Sequence, residues 1–239
     1  MKRVFTFLLA LALIAPALAW PDTPSDIFLS SNAVVKQHHQ LSRNAAVKVI
    51  TPRGHGSGSY IKLGDNYYVL TAKHVVRGNT HPILDRDSGP REVTDIVTIQ
   101  AGPELVIGEV VFRAQNQDIA LIKVPMLSTR TPAKIRSTNI TELSIGDELV
   151  YSGYPSQYSL LTSGAQVSGK EETRYILQGF AWPGSSGCGI IDSRGRIRGI
   201  LVAIGIEWVN ENPQLLETVV WMEPINSSTW EEIERALQL

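Results

Sequence analysis

Three short segments of the chain carry residues able to do acid–base and nucleophilic chemistry. Val69-Leu70-Thr71-Ala72-Lys73-His74-Val75-Val76 runs an apolar strand pattern into a histidine, and a strand end is where a loop can expose an imidazole. In Asn116-Gln117-Asp118-Ile119-Ala120-Leu121-Ile122-Lys123-Val124 an aspartate immediately precedes an apolar strand. In Pro183-Gly184-Ser185-Ser186-Gly187-Cys188-Gly189-Ile190-Ile191 a serine sits in a glycine-rich tight loop that enters a strand. A serine hydroxyl is a poor nucleophile until a base takes its proton. An imidazole, with an ordinary pKa of about 6.5, suits that task at neutral pH. A carboxylate can fix the imidazole tautomer and stabilise the imidazolium that forms. Taken singly, each segment has a plainer explanation: a structural histidine, a turn aspartate, a flexible loop. Their occurrence in order along one chain is what raises the chemical reading above the plain one.

The elements that must position these residues are strands. From Ala45 onward the chain consists of short runs rich in β-branched residues, among them Ala46–Ile50, Tyr67–Leu70, Ile96–Ile99, Val110–Phe112, Ile119–Ile122, Leu149–Tyr151, Ile197–Val202 and Val219–Trp221. Turn signals punctuate them at Gly54-His55-Gly56, Gly64-Asp65-Asn66, Ser88-Gly89-Pro90 and Ser193-Arg194-Gly195. Many short strands at regular spacing predict an all-β barrel or sandwich. One helix is expected, at the end: Ser228-Thr229-Trp230-Glu231 has a capping-box pattern, and Trp230, Ile233 and Leu237 repeat at helical spacing. No second full domain is expected after Asn226.

Composition narrows the partners. A hydrophobic fraction of 43% with 19% charged residues describes an ordinary globular protein. The net charge of -1 supplies no basic surplus for nucleic acid or an anionic membrane. Residues 1–19 read as a signal peptide: Lys2 and Arg3 precede an apolar run, and Ala17-Leu18-Ala19 places small residues at the cleavage positions. The run is shorter than the roughly 20 apolar residues that span a bilayer, so cleavage after Ala19 and no stable membrane insertion are expected. The protein is accordingly expected outside the cytoplasm, periplasmic or secreted. Residues 20–44 read as a polar lead, residues 45–227 as the β domain and residues 228–239 as the helix. His38 and His39 lie in the lead without carboxylate or cysteine partners in sequence, which reads as surface rather than a metal site. Cys188 is the only cysteine, so no intramolecular disulfide can form and packing alone must hold the fold.

These segments resemble trypsin-like serine proteases, and most closely the bacterial HtrA-like (Do-like) protease domain. His-Asp-Ser is also the chain order of the triads on chymotrypsin barrels. Leu70–Val76 resembles the family's L-T-x-x-H-V-V motif, Asp118–Val124 its D-x-A-L-L-K-V and Pro183–Gly187 its P-G-N-S-G, which points to Ser186 rather than Ser185 as nucleophile. Ile145–Val150, Gly153-Tyr154-Pro155 and Asp192–Ile200 match further landmarks, so the resemblance runs from about Ala45 to Ala203. It implies two six-stranded antiparallel β-barrels with the active site between them. It implies a His74, Asp118, Ser186 triad, with the backbone amides of Gly184 and Ser186 as the oxyanion hole. The substrate would be a protein or peptide, and no metal or organic cofactor would be needed. The oligomeric state is left open.

The resemblance also implies a specificity pocket. Phe180, six residues before the nucleophile, would sit at its base, and Val202-Ala203-Ile204 would pair with the substrate backbone and form one wall. Gln178 to Pro183 contains no carboxylate to meet a basic side chain, and Phe180 with Ile204 would make the pocket shallow. Cleavage after small or medium aliphatic residues is expected. The rival specificity is that of glutamyl endopeptidases, whose histidine motif Lys73-His74-Val75-Val76 also resembles. The rival class is an inactive protease-fold binding module. Departures from the pattern are Cys188 where glycine is usual, Gly189 where proline is common, no Ile-Val terminus for zymogen-type activation, and too little chain for a PDZ domain.

Overall fold

The computed structural model describes residues 37–77, 84–85, 89–90, 95–135 and 142–239. The expected signal peptide and its cut, and most of the lead, lie outside the described residues. Strands β1 (Ala46–Thr51), β2 (Gly54–Leu63) and β3 (Asn66–Ala72) are followed by the two-residue pair β4 (Leu84–Asp85) and β5 (Gly89–Pro90), then β6 (Ile96–Ala101), β7 (Glu104–Arg113) and β8 (Ile119–Val124). Strands β1, β2, β3, β8, β7 and β6 close into an antiparallel six-stranded barrel in that order. The second half contains β9 (Lys134–Ile135), β10 (Glu148–Gly153), β11 (Leu161–Glu171), β12 (Arg174–Gly179), β13 (Gly189–Asp192), β14 (Arg196–Val209) and β15 (Asn212–Pro224). Its order β13, β10, β11, β12, β15, β14 closes through a β13–β14 pairing, giving a second six-stranded barrel, with β9 attached parallel to β14. The expected pair of barrels is therefore present.

Three apolar cores explain why the sequence patterns work. Val47, Val49, Tyr60, Val69, Ile99, Ala120 and Ile122 fill the first barrel. Leu149, Tyr151, Val167, Leu177, Ile190 and Val220 fill the second. The third core draws on both barrels, packing Ile61, Leu70, Ile119 and Leu121 against Ile191, Ile200 and Val202. Strand β8 shows the logic: alternate residues face the first core and the joining core, so its apolar run is continuous rather than alternating. Each fully buried Val, Leu or Ile contributes about 1.5–3 kcal/mol, and this packing does the work that disulfides do in many exported proteins, since Cys188 is a free, buried thiol.

Three sequence expectations are corrected. Gly54-His55-Gly56 is not a turn but the start of β2, and the turn is Pro52-Arg53. Gly56 serves close approach: a Cβ there would meet the Val75 side chain and the Ser186 carbonyl. The carboxy-terminal helix α2 spans Ser227–Leu237 and is capped by Asn226, whose side chain accepts from the Thr229 amide at 2.9 Å, so Ser228 is already inside it. Trp230 and Ile233 do bury themselves in the joining core, with Leu237 packed alongside. A second helix, α1 (residues 37–45), occupies part of the expected lead. Its buried stripe is only Ser42 and Ala45, too faint to register as an apolar period.

Candidate active site

Antiparallel pairing of β3 with β8 places Ala72 opposite Ile119, so the residues just beyond each strand meet at the same barrel end. After Ala72 the chain tightens into successive turns, with Val75 N bonded to Ala72 O at 3.1 Å and Val76 N to Lys73 O at 3.2 Å. Lys73 N donates to the Asp118 carbonyl at 3.1 Å. The Asp118 carboxylate then takes two bonds from one residue: His74 N donates to Oδ1 at 2.9 Å, and His74 Nδ1 meets Oδ2 at 2.6 Å. Backbone and ring of His74 are thus held by the same group, which leaves Nε2 as the free ring nitrogen. The imidazole is 43% exposed and the carboxylate 20%. Burial acts to raise the Asp118 pKa, but the hydrogen bonds from His74 and the field of His74 and Arg174 hold it below its ordinary value.

The Ser186 loop lies between β12 and β13 and is anchored to both barrels. Ser185 N bonds to Trp182 O at 2.9 Å, Cys188 N to Ser185 O at 3.1 Å, and Gly187 N to Leu201 O at 2.7 Å. Across the barrel junction Ser57 N, on β2, donates to the Ser186 carbonyl at 2.8 Å. Gly187 has φ 91°, and a Cβ there would collide with the Ser57 carbonyl and the Thr71 hydroxyl. Only glycine fits this combination of left-handed backbone and crowding. These bonds leave the amides of Gly184 and Ser186 without an acceptor among the described residues. The Ser186 hydroxyl and His74 Nε2 likewise carry no hydrogen bond there. Ser185 is buried, its oxygen accepting the Trp182 amide at 3.4 Å.

Two residues that sequence inspection missed hold the Gly184 peptide. Ser156, with φ 48°, donates its amide to the Pro183 carbonyl at 2.7 Å. In a trans peptide this turns the Gly184 N–H to the opposite side. The buried Ser57 hydroxyl donates to the Gly184 carbonyl at 2.8 Å and accepts the Tyr154 amide at 2.9 Å. The signal for Ser57 was a lone serine between glycines, legible only once its partners, far away in sequence, are known. Ser57→Ala removes the clamp and orphans two backbone groups, a loss of about 1–3 kcal/mol. The expected result is a lower melting temperature and a kcat about tenfold lower with KM little changed. An unchanged kcat would mean that the loop keeps its shape without the clamp.

The residues expected to set specificity lie on β14 and just after β12. Val202 is buried in the joining core, and Ala203 and Ile204 are half-buried on β14. Phe180, expected at the base of the pocket, is 46% exposed. What is anchored is its backbone: the Tyr151 hydroxyl donates to the Phe180 carbonyl. Cys188 is buried, and burial pushes its thiol up to about 12, with the Ser57 hydroxyl opposing. It is a neutral packing group at neutral pH, not a thiolate. His38 and His39 lie on α1 and border a surface cleft with Glu148 and Asp192.

A family model described as the trypsin-like peptidase domain matches residues 56–200, a span holding His74, Asp118 and Ser186. The chain belongs to that family. Solved structures of similar fold include two inactive forms of the Rv3671c protease. One, a mutant form from Mycobacterium tuberculosis H37Rv, has a TM-score of 0.57 at 20% identity, covering 88% of this chain and 91% of that one. The other has a TM-score of 0.59 at 19% identity, covering 87% and 94%. A serine endoprotease from Yersinia pestis has a TM-score of 0.61 at 19% identity, covering 85% of this chain and 66% of that one. At these identities the likeness is one of fold. No curated relative matches the chain by sequence. By family and by fold this trypsin-like peptidase is a serine endopeptidase.

Proposed function

We propose that this trypsin-like peptidase is exported and cleaves polypeptides through an acyl-enzyme on Ser186. His74 Nε2 takes the Ser186 proton as the hydroxyl attacks the scissile carbonyl. Asp118 keeps the Nδ1 proton in place and stabilises the imidazolium. The carbonyl oxygen, now negative, lies against the Gly184 and Ser186 amides, each such donor being worth about 3–4 kcal/mol in the transition state. His74 returns the proton to the departing amine, and water, activated by the same imidazole, releases the acyl group. The observation that carries this reading is the pair of hydrogen bonds that one carboxylate makes with His74, at 2.9 Å from its amide and 2.6 Å from its ring. No step calls on a metal or organic cofactor.

Cleavage after Ala, Val or Leu is the proposed preference. A shallow apolar site beside Ala203 and Ile204 offers no counter-charge, and burying an unpaired Lys, Arg or Glu costs several kcal/mol. One methylene changes such binding by only about 1–3 kcal/mol, so the preference is broad. The amino-terminal segment supports export, and the sequence motifs support the HtrA-like branch of the family. A fluorophosphonate probe, which reacts with an activated serine, tests the chemistry, and a peptide library tests the specificity. Labelling at Ser186 and cuts after aliphatic residues are expected. An unlabelled protein would mean a binding module, and cuts after Glu would mean a glutamyl endopeptidase.

A further inference from the structure

The proposed triad is split between the barrels. His74, just beyond β3, and Asp118, just before β8, belong to the first barrel, while Ser186 lies on a loop of the second, between β12 and β13. Strand pairing within either barrel cannot set the distance between these halves, so ties that cross the junction must. One tie, from the Ser57 amide to the Ser186 carbonyl, holds the serine at 2.8 Å. Another lies on the side of the aspartate. Gln117, the residue before Asp118, is only 7% exposed. Its Nε2 donates to Glu223 Oε1 at 3.0 Å and to the Pro224 carbonyl at 2.8 Å. Both acceptors stand at the end of β15, in the second barrel.

From Glu223 the path to Ser186 is short. Glu223 pairs with Ile200 on β14. The next residue of that strand, Leu201, accepts the Gly187 amide at 2.7 Å and donates its own to the Cys188 carbonyl at 2.9 Å. Gly187 directly follows Ser186. Asp118 is therefore linked to Ser186 through Gln117, Glu223 and two adjacent strands. The rest of the Asp118 loop is held as well: Lys73 Nζ donates to the Ala114 carbonyl at 2.7 Å, and the Gln115 amide to Glu232 of α2 at 3.0 Å. Gln117 is the tie next to the carboxylate. Its polar groups are placed at a cost. Glu223 is 2% exposed and takes a further bond from Arg174 Nε at 2.8 Å. Gln117 Oε1 is buried with no partner among the described residues. A buried ion pair is often no more stabilising than apolar residues of the same volume, and an orphaned buried oxygen is destabilising outright. Stability alone is a poor reason for such groups here. What they add is direction, since a hydrogen bond fixes distance and angle where an apolar contact does not.

We propose that Gln117 and Glu223 are positioning residues of the triad: Glu223, acting through Gln117, holds Asp118 and with it His74 at working distance from Ser186. The inference rests on the proposed roles of His74, Asp118 and Ser186. Asp118 passes the placement on, because its carboxylate binds both the amide and the ring of His74. Arg174, half-exposed at the barrel face, pairs with the Glu223 carboxylate and lets it stay charged inside. Without the tie, the His74–Asp118 pair drifts against Ser186, and a misplacement of about 1 Å can cost about a hundredfold in rate. The pair acts on the chemical step and not on substrate binding, so its effect falls on kcat.

Gln117→Met keeps the length of the side chain and loses both donors. Its kcat should fall by about ten- to a hundredfold with KM little changed, and the rate of fluorophosphonate labelling should fall in parallel. Glu223→Asp keeps the charge but is one methylene too short to meet both Gln117 and Arg174. It should lower kcat in the same way, and it serves where Gln117→Met does not fold. The deciding measurement combines each change with Asp118→Asn, assayed below the melting temperature of every variant. Acting through Asp118, Gln117→Met should cost less than about twofold in that background. Lowered melting temperatures with unchanged kcat in the single variants would leave a structural role only and overturn the proposal. So would the same fold-loss with and without Asp118→Asn. A parent protein that neither hydrolyses peptide nor takes the label, or one whose Asp118→Asn variant keeps near-normal rates, would overturn the triad reading and the positioning pair with it.

Discussion

Ser186→Ala lowers peptide turnover by up to about a million-fold, the loss found when the subtilisin nucleophile is removed. The neighbouring Ser185→Ala keeps most activity, because its hydroxyl is buried and turned back to the Trp182 amide. The two serines are adjacent in a chain segment where either could pass for the nucleophile, so the contrast is diagnostic. Ser186→Ala should not unfold the protein. Its carbonyl, not its hydroxyl, accepts the Ser57 amide that ties the loop to the first barrel, and alanine keeps that bond. Fluorophosphonate labelling should vanish in Ser186→Ala and persist in Ser185→Ala, at an unchanged melting temperature. Equal labelling of Ser186→Ala and the parent protein would place the nucleophile elsewhere.

Asp118→Asn costs about ten-thousand-fold in kcat, by the effect of the same change in a serine protease triad. An asparagine fits the space, but its NH2 group facing His74 Nδ1 makes that nitrogen an acceptor and moves the ring proton to Nε2. Nε2 then cannot take the Ser186 proton. The pH dependence follows from the depressed Asp118 pKa. A carboxyl with a folded pKa below its unfolded value contributes its full stabilisation above the unfolded value, about 3.9 for aspartate, and loses it as pH falls through the folded one. Asp118 thus stays ionised at neutral pH, and its contribution is lost only in acid, as pH falls through its lowered pKa. Near-normal rates in Asp118→Asn would require another carboxylate to orient the ring. Asp95 is committed to an ion pair with Arg113. Asp147 accepts the Ser144 amide at 2.8 Å, in the second barrel.

The site residues were legible because each is marked locally. His74 ends one apolar strand, Asp118 begins the next, and Ser186 lies among glycines. The strand pairing that joins His74 to Asp118 follows once both strands are assigned to one barrel. Element types were legible wherever β-branched runs were pure, as in β1, β3, β6 and β8. They were not legible where glycine served packing rather than turning, as at Gly56 in β2, or where a helix buried only Ser42 and Ala45.

By itself the sequence determined the class of fold and the kind of enzyme, and it singled out His74, Asp118 and Ser186 as the candidate triad, because strand periodicity and short motifs are local properties. Only the tertiary structure decided how the Ser186 loop is held. The Ser57 clamp on Gly184, the Ser156 bond to Pro183 and the exposed ring of Phe180 all depend on groups distant in the chain. Such contacts leave no period and no motif behind. They arise when two barrels close and a joining core sets their distance, and a linear pattern carries no record of that distance.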